Sequence, residues 1–175
     1  MRSEKRSWRY AVGVSLLTVL SVVSLVLLAL SEQSYTAFRE ALQGIQFAVR
    51  LTHFELSPQE ARLQWTVTVT MPTPKIAVSL ELLDWHIYSV DKSTHLGSYS
   101  SGDVQIALAS VTEVPLEATL KGYHFEKLQS LREESSEATE LLFEGVALVM
   151  FQLPKKEERK KFPVVGVFTL PKERE

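Results

Sequence analysis

The sequence predicts an all-β domain of two stacked antiparallel sheets, preceded by a single N-terminal transmembrane helix. Three observations predict it. In RLQWTVTVTM, the residues Leu63, Trp65, Val67, Val69 and Met71 alternate with polar neighbours. That is the period-two signature of a half-buried antiparallel strand. Runs of this kind recur along the chain between turn residues, and only one stretch outside the span has helical spacing. YAVGVSLLTVLSVVSLVLLAL, Tyr10 to Leu30, carries no charge over 21 residues. About seven short alternating strands with one late helix describe an immunoglobulin/fibronectin-III-like antiparallel β-sandwich with one inserted helix.

The apolar run comes first. A helix rises about 1.5 Å per residue, so the run matches a hydrocarbon core of about 30 Å. Its length and lack of alternation decide for helix over strand. Tyr10, Leu17, Leu20, Leu25 and Leu30 mark this membrane anchor. Trp8 and Tyr10 stand where an aromatic belt is expected, and Arg2, Lys5, Arg6 and Arg9 precede the span. Charge after it, in SEQSYTAFRE, is roughly balanced. The positive-inside rule therefore puts the N-terminus in the cytoplasm and the sandwich in a periplasmic, extracellular or lumenal space. A cleaved signal peptide is the rival reading, with Ala29 to Ser31 as a cleavage site, but signal h-regions run only about 7–15 residues. Ser15, Thr18, Ser21 and Ser24 recur every three residues. They form a helix-packing face or simply bond back to the preceding turn.

At 175 residues the chain has room for one ordinary domain and an extra element. Its 45% apolar and 23% charged residues are those of a globular chain. With no cysteine, disulfides, thiolate nucleophiles and cysteine-ligated metals are excluded. The net charge of −2 divides unevenly: residues 1–31 carry +3 and the rest −5. A mildly acidic domain lacks the basic footprint of a nucleic-acid binder. The expected organisation is a basic N-terminus (1–9), the span (10–30), a short amphipathic linker of helical character (31–43), the sandwich (44–170) and a polar tail (171–175).

Within the sandwich, IQFAVRLTHFEL puts Ile45, Phe47, Val49 and Leu51 on one face, then shifts phase to Phe54 and Leu56, which predicts a bulge. SPQEA reads as a turn. After Met71-Pro72-Thr73-Pro74, alternation resumes through Ile76, Val78, Leu80 and Leu82, and slips at Leu82-Leu83 toward Trp85 and Ile87. Two prolines so close cannot occupy a central strand, because each lacks a ladder donor. DKSTHLGSYSSGD holds a short strand between breakers. VQIALASVTEVPLEATL supplies Val104, Ile106 and Leu108, then Val114, Leu116, Ala118 and Leu120, with Pro115 predicting an edge or an irregular start. Phe125, Leu128 and Leu131 have helical spacing and precede an acidic loop. LLFEGVALVMFQL and KKFPVVGVFTL close the domain, joined by PKKEERK as a charged tip. Trp65, Trp85, Phe47, Phe143 and Phe168 are the expected large core residues.

The order of these pieces resembles the LEA-2/WHy family (late embryogenesis abundant group 2; water stress and hypersensitive response). VTVTMP, KIAVSLELLDWHIYS, THLGSYSS, VQIALASVTEVPLEATL and FEGVALVMF follow the family's succession of strand, proline turn, long strand, Leu-Gly loop, strand pair, helix and closing hairpin. The resemblance covers about Gly44 to Leu170. It gives Met71, Pro72 and Pro74 the place of the family turn and Leu96 and Gly97 that of the family loop. The family turn usually has Asn before its proline, whose side chain can cap the turn; Met71 cannot, so Pro74 or local packing must take over.

No catalytic signature appears: there is no nucleophile elbow, P-loop or dinucleotide fingerprint. His53, His86, His95 and His124 are far apart and share no ligand spacing. His53 with Glu55, or Asp84 with His86, alternate on a strand face, but each pair lacks the third ligand that a metal site needs. The acids of LREESSEATE form a solvated run without the desolvation that tunes a catalytic carboxylate. No enzyme activity, metal or cofactor is expected.

The resemblance implies a non-enzymatic, membrane-anchored protein associated with stress or desiccation, stabilising proteins or membrane. An alternative is an accessory or scaffold subunit of a membrane complex, binding partners by helix packing and by strand addition at open sheet edges. A third reading is lipid or small-ligand binding near the bilayer. The bilayer is the expected partner, with a protein partner in the second case.

Overall fold

The computed structural model describes residues 2–72, 75–102, 105–135, 138–154 and 156–170, with side chains from residue 16 onward. One unbroken helix, α1 (Arg2–Gly44), carries both the apolar run and the segment expected as a linker. Nothing between Leu30 and Gln43 breaks it: the stretch has no proline or glycine, and at least half of it is Ala, Leu, Glu and Gln. Gly44 ends it, where the Ile45 N–H still reaches the Ala41 carbonyl at 3.1 Å. The last turns are not a stalk. Ala37 and Ala41 are buried, and Phe38 and Leu42 pack against the sandwich core.

Among the described residues, eight strands and one further helix follow. They are β1 (Gln46–Leu56), β2 (Glu60–Thr70), β3 (Ala77–Ser89), β4 (His95–Ser100), β5 (Ile106–Ala107), β6 (Val111–Lys121), α2 (Tyr123–Glu134), β7 (Thr139–Leu153) and β8 (Lys156–Leu170). Three strands form one sheet in the order β1-β2-β6; the other runs β4-β3-β7-β8, with β5 pairing β3. All pairings are antiparallel. The architecture is the all-β sandwich with an inserted helix that alternation predicts.

The core lies between the sheets. Leu63, Trp65, Val67, Val69 and Met71 are all buried, facing Leu83, Trp85, Ile87, Phe143, Val149 and Phe151. Trp65 meets Phe143 edge-on with ring centroids 5.8 Å apart, and Phe143 stacks on Trp85 at 6.1 Å. Aromatic pairs of this kind add about 0.5–1.5 kcal/mol beyond their burial. Phe47 is only half-buried, because it sits at the sandwich side, 5.7 Å from Phe162 of β8.

Local details follow the chemistry of the chain. The predicted bulge in β1 falls between Leu51 and His53, and the Thr52 hydroxyl there donates to the Gln64 carbonyl at 3.0 Å. Pro115 lies on β6, an edge strand that pairs only with β2. In β3 the phase slips one residue earlier than alternation suggests. The register breaks between Leu80 and Leu82, so Leu82 faces outward with Asp84 and His86 while Leu83 is buried. Two adjacent leucines can serve either face, and the bulge at Glu81 decides between them.

Most of PKKEERK is strand: β8 begins at Lys156. Leu153 pairs with Lys156, and Lys156 to Lys161 run as strand opposite Leu153 to Leu148. Charge is accepted there because β8 is an edge, where charged side chains reach water while the backbone pairs on one side. The charges also bind neighbours: Arg159 reaches back across β7 to Glu81 at 2.8 and 3.1 Å.

The sheet edges are less open than the alternation implied. β1 and β8 approach at one side through Phe47 and Phe162. At the other, α2 packs on both β4 and β6. α2 buries Phe125 and Leu128, with Leu131 against the core, the stripe its spacing predicts.

Candidate functional site

Three regions carry the predicted site residues, and the first is the apolar stretch of α1. Leu17, Leu20, Leu25 and Leu30 are all more than half exposed, as are most large apolar side chains from Leu16 to Leu30. Among the described residues α1 is the one helix long and apolar enough to cross a membrane, and none of its most apolar window is buried in the protein. For Arg2, Lys5, Arg6, Trp8, Arg9 and Tyr10 the helical backbone is described, and their side chains lie outside the described residues.

The second region is the junction of helix and sandwich. Met71 is buried, its N–H donating to the Ser110 carbonyl at 3.0 Å, and Pro72 follows on the surface. Pro72 lies flat against the end of α1: a Cβ built on Gly44 would stand 2.4 Å from the Pro72 Cγ and Cδ. Pro74 lies outside the described residues. On the far side of the turn, Lys75 donates to Glu40 of α1 at 2.8 Å. Phe38 meets Phe151 of β7 edge-on, 5.2 Å apart. The proline turn therefore ends β2 and at the same time receives the helix.

The predicted Leu-Gly loop is part of a strand. Leu96 and Gly97 lie within β4, both buried, with Gly97 opposite Ile87. Glycine suits this position because the Tyr99 ring lies over it, 2.8 Å from where a Cβ would stand. Tyr99 stacks on Trp85 at 5.8 Å, and its hydroxyl donates to the Thr119 carbonyl of β6 at 3.3 Å. Burial pushes the Tyr99 phenol above its ordinary pKa.

The third region is the outer face of the larger sheet. A shallow groove of about 580 Å3 is lined by Leu82, His86, Tyr88, Val146, Leu148 and Val165, among others. Val146 is 43% and Val165 56% exposed, an unusual allowance of bare valine on a strand face. Charges rim it: Glu144 receives Lys92 at 2.8 Å, and Asp84 and Lys161 stand at its edges.

Beside this groove the fold assembles a cluster that sequence reasoning missed. His86 Nδ1 lies 2.7 Å from the Ser98 hydroxyl, which lies 3.1 Å from His95 Nε2. Tyr88 is 5.0 Å from His95 and His124 6.1 Å, measured between ring centroids. Strand pairing of His86 with Ser98 and the packing of α2 beside β4 bring them together, and no local spacing announces it. His53 stays apart on β1, exposed, with Glu55 beside it. Among the described residues no group of three or more His, Asp or Glu is placed to hold a metal ion.

No protein-family model matches the chain, and no curated protein sequence matches it. Solved structures are similar. A protein from Archaeoglobus fulgidus superposes over 72% of this chain and 97% of its own, with 10% identity and a TM-score of 0.48. A protein assigned as late embryogenesis abundant (LEA) covers 89% of both chains, with 15% identity and a TM-score of 0.41. A protein from Arabidopsis thaliana covers 75% of this chain and 83% of its own, with 14% identity and a TM-score of 0.44. At these identities and scores the likeness says nothing of function.

Proposed function

We propose that this chain is a non-enzymatic, membrane-anchored LEA-2-like domain that stabilises proteins or membrane when water is withdrawn. The single observation that carries the anchored part is the wholly exposed apolar stretch of α1. Each large side chain left in water forgoes about 1.5–3 kcal/mol of burial, and none of the described residues buries them. A bilayer does. The basic residues before the span support a cytoplasmic N-terminus, with the sandwich on the opposite side. The bare valines of the outer sheet face support weak contact with client proteins.

Drying tests this reading. Full-length protein in vesicles, dried and rehydrated beside a labile enzyme, should preserve vesicle contents or enzyme activity better than vesicles bearing α1 alone. Equal loss in both would count against protection.

The alternative of an accessory subunit is favoured by one observation, the direct seating of α1 on the sandwich through Ala37, Phe38 and Ala41. A helix so joined presents its span and its sandwich to a neighbour as one body. Purification in mild detergent with partners identified by mass spectrometry separates the readings. A partner at fixed stoichiometry makes the chain a complex subunit, and a partnerless anchor leaves the protective reading ahead.

A further inference from the structure

We infer that the tip of the β7–β8 hairpin is a second membrane contact, seated in the headgroup and glycerol zone of the bilayer beside α1. The inference rests on the anchor reading above and adds a surface to it. The uncharged run ends at Leu30, and Glu32 is the first charge after it. With about 21 residues at about 1.5 Å each filling the hydrocarbon, the boundary falls at Leu30 and Ser31.

The hairpin returns to that level. A cleft of about 500 Å3 has Leu27, Leu30 and Tyr35 of α1 on one wall and Leu153, Pro154 and Lys156 of the hairpin on the other. Pro154 also borders a neighbouring cleft that reaches Ala29. Leu27 is about 5 Å, or one turn, inside the boundary. The hairpin tip therefore stands at the bilayer surface whenever α1 spans the membrane, because the helix between them is unbroken and packed on the sandwich.

The chemistry of the cleft suits that zone. Leu27, Leu30, Leu153 and Pro154 make its floor apolar, fit for the upper part of an acyl chain. Tyr35, 52% exposed, and Lys156 supply a phenol and an ammonium at its mouth. Tyr and Lys are the residues that settle at membrane–water interfaces. Lys156 also pairs with Glu158, and a phosphate can share that ammonium because it is half exposed. The occupant is a bilayer phospholipid, held by its phosphate at Lys156 and its first methylenes at Leu30.

The absence of cysteine makes the test clean, since one introduced thiol gives one labelled site. Full-length Pro154→Cys, Lys156→Cys, Gln59→Cys and Leu20→Cys would each carry an environment-sensitive fluorophore in phosphatidylcholine nanodiscs. Lipids with a quencher near the headgroup or deep in the acyl chain report depth. Two tip positions guard against one substitution disturbing the turn. The expected result is several-fold stronger headgroup-level quenching at 154 and 156 than at 59, with deep quenching at 20. Deep quenching at 20 with both tip positions behaving like 59 overturns the hairpin contact and leaves the anchor standing. No quenching at 20 overturns both.

Discussion

Gly44, the last residue of α1, is pressed against the ring of Pro72, so that a Cβ on Gly44 would stand 2.4 Å from two ring carbons. This contact joins the end of α1 to the start of the proline turn. Gly44→Ala should therefore force the helix end or the turn to move, at about 1–3 kcal/mol by chemical denaturation. Removing the ring should relieve it: Gly44→Ala with Pro72→Ala should cost less than the two single changes summed, as a double-mutant cycle would read.

Phe38 is the other clasp at this junction, edge-on to Phe151 at 5.2 Å. It is half-buried, so Phe38→Ala should cost about 1–3 kcal/mol, less than a full core aromatic. Hydrogen exchange over residues 34–44 should quicken more than in β2, since the loss is local to the helix–sandwich contact.

Gly145 lies at the centre of β7, opposite Trp85, where a Cβ would meet the Asp84 carbonyl oxygen at 2.7 Å and Trp85 Cβ at 3.1 Å. Backbone cannot swing away as a side chain can. Gly145→Ala should destabilise by about 2 kcal/mol or more, the upper part of the overpacking range, measured as a lowered urea midpoint with unchanged slope.

The β3–β4 turn has an acid-sensitive lock. The Ser89 hydroxyl, the Ser93 hydroxyl and the Ser93 N–H all donate to the Asp91 carboxylate and hold its pKa below the ordinary 3.8. A lowered folded pKa gives stability that is complete above the unfolded value and fades as pH falls through the folded one. The thermal midpoint gap between wild type and Asp91→Asn should thus be constant at neutral pH and shrink only below the ordinary aspartate range.

On the outer sheet face, Val165→Thr should shift stability by no more than about 0.5 kcal/mol, as exposed positions do. If that face meets client proteins, the same change with Val146→Thr should weaken protection of the dried enzyme while leaving vesicle anchoring intact.

The two sheets were legible because burial imposes a period of two on every strand that has one wet face. Leu63 to Met71 follow it without exception, the slip at Thr52 shows as a lost beat, and Pro115 reports an edge by lacking a donor. Legibility fails where a residue can serve two surroundings. Ala37 and Ala41 are too small to advertise burial, so the docked end of α1 reads as a linker. Leu82 and Leu83 can each face inward, so the bulge at Glu81 reads one residue late. Lys156 to Arg159 look like a turn because charge and edge strand share one appearance in sequence. The long apolar helix was legible from length and lack of charge alone. The histidine cluster was not, since only the pairing of β3 with β4 and the seating of α2 bring His86, His95 and His124 together.

The unbroken run of α1 from the apolar span into the sandwich has a consequence for insertions. A helix turns about 100° for each residue. One residue added between Ser31 and Tyr35 would leave the span and the sandwich each intact, yet swing the valine face a quarter-turn or more about the helix axis and lift it about 1.5 Å. Three or four added residues would nearly restore its bearing at a greater height. Spacing in this short segment is thus an angular setting, and the direction in which the domain looks relative to the apolar span is encoded by residue count.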